Sequence, residues 1–99
     1  MRKRSAPPKS PVGPWTVVFA RQAAKDANKV ARHGLRAKVE WLLTVLAEDP
    51  LLSPPPWERL VGDLSGAFSR RINFHHRLVC EVLTEVRTVR VLRMWTLYE

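Results

Sequence analysis

Pro54, Pro55 and Pro56 close a stretch that runs Pro50-Leu-Leu-Ser-Pro-Pro-Pro56. Proline fixes φ and removes the backbone donor, so neither a helix nor a central strand passes through this point. An extended loop must therefore divide the chain, and the hydrophobic pattern differs on its two sides. Before it, Ala20 to His33 is rich in Ala, Lys, Arg and Gln, and Gly34 stands where a helix would stop. Leu35, Val39, Leu42, Leu43 and Leu46 then mark the apolar stripe of a second helix, which Asp49-Pro50 ends. Ahead of both, Trp15, Val17 and Phe19 share one face of a short strand and Thr16 takes the other. After the loop the period becomes two, over Ala67 to Asn73, Arg77 to Leu83 and Arg87 to Trp95. Asp63 to Gly66, Phe74 to His76 and Thr84 to Val86 are the candidate turns. This order implies an α+β fold: an antiparallel sheet of about four or five strands with a two-helix hairpin packed on one face.

At 99 residues the chain is one domain, and 45% hydrophobic content with four Trp suffices for a packed core. A formal charge of +8 makes an anionic partner the first expectation. Half of that excess, Arg2, Lys3, Arg4 and Lys9, lies in residues 1–14, a Pro- and Ser-rich leader expected to be disordered. It reads as a solvated tail or as a nonspecific nucleic-acid arm; residues 15–99 form the domain. The single cysteine, Cys80, cannot form an internal disulfide, which fits a reducing compartment. No apolar run reaches the length of a membrane span, and Met-Arg-Lys-Arg leads into Ser-Ala-Pro-Pro with no apolar signal region. A cytoplasmic domain without membrane contact is expected.

A sheet with helices on one side leaves its other face to solvent. Ser69, Arg71 and Asn73 fall on that face, away from Phe68 and Ile72, while on the next strand Arg77 and Glu81 alternate against Leu78, Cys80 and Val82. Arginines there, next to a tail carrying Tyr98, suit an anion site, because guanidinium binds phosphate bidentately. The plainer reading is that they only solubilise the face. His75 and His76 are adjacent on a turn and point apart, with no Cys or acid at zinc spacing, so no metal is expected. Cys80 alternates with apolar positions as a small buried residue. Arg21, Lys25 and Lys29 repeat every four residues, as on a solvated helix face or an RNA stripe.

The segment from Glu58 through Leu64-Ser-Gly-Ala-Phe-Ser-Arg-Arg-Ile-Asn73, followed by His76-Arg-Leu-Val79, closely resembles the YoeB/Txe toxins of the RelE/ParE superfamily of type II toxin–antitoxin systems. In those, a Glu–x–Leu segment leads to Leu-Ser-Gly-x-(Trp/Phe)-Ser-Arg-Arg-Ile and then to His-Arg-Leu-Val-Tyr. Ala24-Lys-Asp26, the leucine-rich second helix and the Pro-rich loop are also similar, so the resemblance runs from about Trp15 to Glu99. It implies a bacterial mRNA endoribonuclease that acts in the ribosomal A site, without metal or other cofactor, by attack of the 2′-hydroxyl on the adjacent phosphate. Such chemistry needs a base, cations for the charged phosphorane and an acid for the leaving 5′-oxygen. By resemblance, Glu58 is the base, Arg77 stabilises the transition state, and Arg71 with Arg70 contacts phosphate. Tyr98 shapes the site, and Arg59 is a further RNA contact without a family assignment. The implied partners are ribosome, mRNA and a YefM/Phd-like antitoxin whose acidic C-terminal segment folds over the basic face, with DNA reached only through that antitoxin. Relatives dimerise, although no feature here demands a homodimer.

The tail departs from the family. Leu97 stands where the family's general-acid histidine is expected. Leucine donates no proton, and a positioned acid is worth about 10²–10⁴ in rate. An attenuated enzyme is therefore expected. The alternative is a gyrase-inhibiting or ribosome-binding toxin of the same superfamily without nuclease activity.

Overall fold

The computed structural model describes residues 13–62 and 66–95. Strand β1 (Thr16–Phe19) leads into helices α1 (Arg21–Arg32) and α2 (Arg36–Glu48). Strands β2 (Glu58–Arg59), β3 (Phe68–Arg71), β4 (Arg77–Leu83) and β5 (Thr88–Arg93) follow, with a 3₁₀ turn (Thr84–Val86) between the last two. The five strands form one sheet in the order β1-β5-β4-β3-β2.

The two helices exist for the reasons their sequences suggest. On α1 the buried residues Ala23, Asp26, Ala27 and Val30 recur at helical spacing. His33 Nδ1 lies 2.9 Å from the Lys29 carbonyl, and Gly34 adopts a φ of 72°, the left-handed conformation that ends a helix most easily with glycine. On α2, Val39, Leu42, Leu43 and Leu46 are buried against the sheet core of Val17, Leu78, Cys80, Val89, Val91 and Met94. Among the described residues no helix lies on the opposite sheet face.

The expected sheet needs one correction. Strands β2 to β5 form the antiparallel meander, but β1 pairs parallel with β5, Thr16 opposite Thr88 and Phe19 opposite Val91. The helical hairpin carries the chain from β1 at one edge to β2 at the other. The four-strand meander then returns with β5 running in the direction of β1. Two strands also end earlier than alternation suggests. Asn73 Oδ1 accepts the amides of His75 and His76, both at 2.8 Å, and so turns the chain after Arg71. The Met94 amide leaves the ladder for Asp26 Oδ2 at 3.0 Å. Residues 1–12 of the expected leader, and positions 63–65 of the first candidate turn, lie outside the described residues.

Candidate functional site

Strand alternation and register build the site on the open face. Glu58 stands opposite Ser69, and Arg71 stands directly opposite Arg77. Like charges facing each other across an antiparallel pair repel, so this pairing is unfavourable unless an anion lies against it. Glu58 supplies part of that charge: its Oε1 is 3.7 Å from Arg77 Nη1, a loose ion pair rather than a hydrogen bond. The same Nη1 donates to Ser69 Oγ at 3.3 Å, which holds the Arg77 guanidinium over β3. Pro56, Trp57, Glu58, Ser69, Arg71 and Arg77 enclose an open pocket of about 70 Å³. The pocket opens to solvent and has room for a group the size of a phosphate beside the two arginines.

Glu58 sits at the end of the proline loop, and two side chains, Trp57 and Arg70, fix that loop. The Trp57 indole donates to the Leu51 carbonyl at 3.0 Å, and its ring meets Phe68 edge-on at 4.9 Å. Arg70, on the helix-covered face, donates to the carbonyls of Pro55 at 2.6 Å, Pro50 at 2.9 Å and Leu52 at 2.9 Å. The Arg70 side chain is 1% exposed, and burial pulls its pKa below the usual arginine value. Its expected role as an RNA contact is therefore corrected: the guanidinium faces away from the pocket, bonded to backbone carbonyls of the loop. Arg59 is likewise displaced from the pocket. It points to the opposite face from Glu58, with its guanidinium 5.1 Å from the centre of the Phe68 ring.

On the far side of the pocket the end of β5 is anchored twice. Buried Asp26 accepts from Arg93 Nε at 2.8 Å, from the Met94 amide and from Gln22 at 3.1 Å. Burial alone would raise its pKa, but these hydrogen bonds outweigh it and hold the carboxyl below its ordinary value. The Trp95 carbonyl accepts the Arg77 amide at 3.3 Å, and the His76 ring stacks on Trp95 with centroids 3.8 Å apart. Leu97 and Tyr98 lie outside the described residues. Trp57 and Asp26 were not singled out as functional in the sequence. Asp26 had a signal, being a lone acid three residues from Ala23 and four from Val30 on the apolar face of α1. No group of three or more His, Cys, Asp or Glu among the described residues is placed to hold a metal. No helix among them is long and apolar enough to cross a membrane. Burial pushes the Cys80 thiol up to about 12, which leaves no thiolate nucleophile near neutral pH.

No family model and no curated protein matches the sequence. Solved structures do. The RelBE2 toxin–antitoxin complex from Mycobacterium tuberculosis includes a chain 32% identical to this one, over 84% of this chain and 98% of that one, with a TM-score of 0.66. The YoeB–YefM complex from Staphylococcus aureus gives 26% identity over 85% and 98%, with a TM-score of 0.71. A YoeB/ParE toxin from Agrobacterium tumefaciens gives 25% over 83% and 98%, with a TM-score of 0.74. Sheet order, helical hairpin and these likenesses define the class, a toxin fold of the RelE/ParE type. Within that class, the chain belongs to the YoeB-like toxins of the RelE superfamily.

Proposed function

We propose that the protein is a metal-free, ribosome-dependent mRNA endoribonuclease and the toxin of a type II toxin–antitoxin pair. The observation that carries this reading is the Arg71–Arg77 pair on the open face, with the Glu58 carboxylate 3.7 Å from one guanidinium. An RNA phosphate seated in the pocket relieves the repulsion between the arginines. Glu58 then takes the proton of the neighbouring 2′-hydroxyl, whose oxygen attacks phosphorus. Arg77, held by Ser69, and Arg71 stabilise the charge that builds on the phosphoryl oxygens. The 5′-oxygen leaves, giving a 2′,3′-cyclic phosphate and a 5′-hydroxyl. The family resemblance assigns Tyr98 a part in shaping the site. With Leu97 in place of a general acid, the leaving oxygen takes its proton from solvent, at a loss of about 10²–10⁴ in rate.

The RelBE2 and YoeB–YefM structures are toxin–antitoxin complexes, and the same arrangement suits this chain. An acidic, YefM-like segment laid on the open face would neutralise Arg71 and Arg77 and exclude mRNA.

A programmed-ribosome cleavage assay tests the reading on the protein, Leu97→His and Glu58→Ala. Leu97→His should cut A-site message about 100-fold faster or more, and Glu58→Ala should be silent. If Leu97→His stays silent, the nuclease reading falls, and gyrase inhibition or ribosome binding alone takes its place.

A further inference from the structure

The pocket has room for a phosphate group beside the arginines, and the bases on either side of that phosphate need contacts of their own. Flat bases are bound by exposed aromatic rings, and stacking tolerates any base because every base has a π-face. Among the described residues two large apolar aromatic side chains are well exposed, Trp41 at 50% and Phe74 at 83%, and the smaller imidazoles of His33 and His75 are exposed as well. Trp41 lies on α2, on the helical layer, whereas Phe74 is at the tip of the turn that springs from the Arg71–Arg77 pair. It is three residues from each arginine. At about 3.3 Å per extended residue, its backbone is no more than about 10 Å from either.

The turn is built to present this ring. The Asn73 side chain holds the His75 and His76 amides, and the Ile72 and Asn73 amides donate to the His76 carbonyl at 2.9 and 3.2 Å. The His75 ring meets Phe74 edge-on at 5.3 Å. His76, at the turn's base, is stacked on buried Trp95. Trp57, the other ring near the pocket, is tied to Leu51 and Phe68.

Resting on the nuclease reading above, we infer that Phe74 is a stacking platform for an mRNA base flanking the phosphate held by Arg71 and Arg77. A partner that alternates negative charge with flat aromatic groups is single-stranded nucleic acid, and the Arg71–Arg77 pair with an exposed ring at the tip of the adjoining turn matches it.

The test is fluorescence anisotropy with the full-length protein and two labelled hexamers. One is a 2′-O-methyl RNA, which cannot undergo 2′-hydroxyl attack; the other is a base-free ribose-phosphate chain of equal charge. Phe74→Leu should weaken RNA binding by about 5- to 150-fold, the range of one base–aromatic stack, and should leave the base-free chain within about twofold. Phe74→Trp should keep RNA affinity. An Arg71→Ala control should weaken both hexamers. Equal RNA affinity for the protein and Phe74→Leu, with Arg71→Ala still weakened, overturns the platform and leaves the nuclease site standing. If Arg71→Ala has no effect either, the site itself is misread. A loss on both hexamers alike also overturns base stacking and makes Phe74 a contact of another kind.

Discussion

Arg70 and Arg71 are neighbours in β3 with identical side chains, and the two faces of the sheet use them in opposite ways. On the helix-covered face Arg70 is sealed from water and bonded to the carbonyls of Pro50, Leu52 and Pro55. On the open face Arg71 is exposed opposite a second arginine. A buried guanidinium must satisfy its donors within the protein, and there the proline loop supplies the acceptors. An exposed cation facing a like charge has an unmet electrostatic demand that a ligand can fill. One arginine thus builds the fold that carries Glu58, and the other, in the function proposed above, takes up phosphate.

The sharpest way to break this contrast is to truncate each arginine. Arg70→Ala should destabilise the domain by about 3 kcal/mol or more, since it leaves loop carbonyls without their charged donor. In a domain of this size that lowers Tm by about 12–24 °C, measured by thermal denaturation. Arg71→Ala should leave Tm unchanged or slightly raised, because it removes a repulsion. Equal losses would show that both residues are structural.

Asp26 extends the comparison to a second buried charge on the covered side. Asp26→Asn should lower stability by about 1–2 kcal/mol, because Arg93 loses its charged acceptor while a side-chain oxygen remains for the Met94 amide. Its pH signature follows from the sign of the shift. The folded pKa lies below the unfolded value of about 3.9. The contribution is therefore complete above about pH 4 and is lost as pH falls through the lower, folded pKa. Melting curves between pH 6 and 2 should show this loss in the protein and not in Asp26→Asn.

A smaller effect belongs to Arg71 on the open face. Each phosphate neutralised on a single strand contributes about −0.7 to the slope of log K against log salt. Arg71→Ala should flatten that slope by about this amount in RNA titrations. The smallest expectation concerns Cys80, which is 1% exposed with its thiol near 12. It should resist a thiol reagent at pH 8 in the native protein and react fully once unfolded.

Much of this contrast was legible before the structure. Alternation placed Ser69, Arg71 and Arg77 on one face, and the apolar stripe of α2 marked the other. Alternation also put Arg70 with Phe68 and Ile72, so its burial was implied by the pattern. The family resemblance drew it toward phosphate, and the pattern was the better guide. Its partners could not be read from the chain, because they are backbone carbonyls 15 to 20 residues away. Carbonyls carry no sequence signal. The parallel pairing of β1 with β5 was hidden for a related reason. Strand direction at an edge depends on how the helical hairpin crosses the sheet, and periodicity within a strand says nothing about that crossing.

The central claim is that the open face drives a 2′-hydroxyl onto phosphorus. Its most direct measurement uses ribosomes programmed with two messages that differ by one atom, a 2′-oxygen at the cut nucleotide of the A-site codon. Leu97→His protein should cut the all-ribose message to a 5′-hydroxyl end and leave the 2′-deoxy message whole. Cleavage of both at the same rate would mean that water is the nucleophile and that Glu58, Arg71 and Arg77 have been given the wrong chemistry.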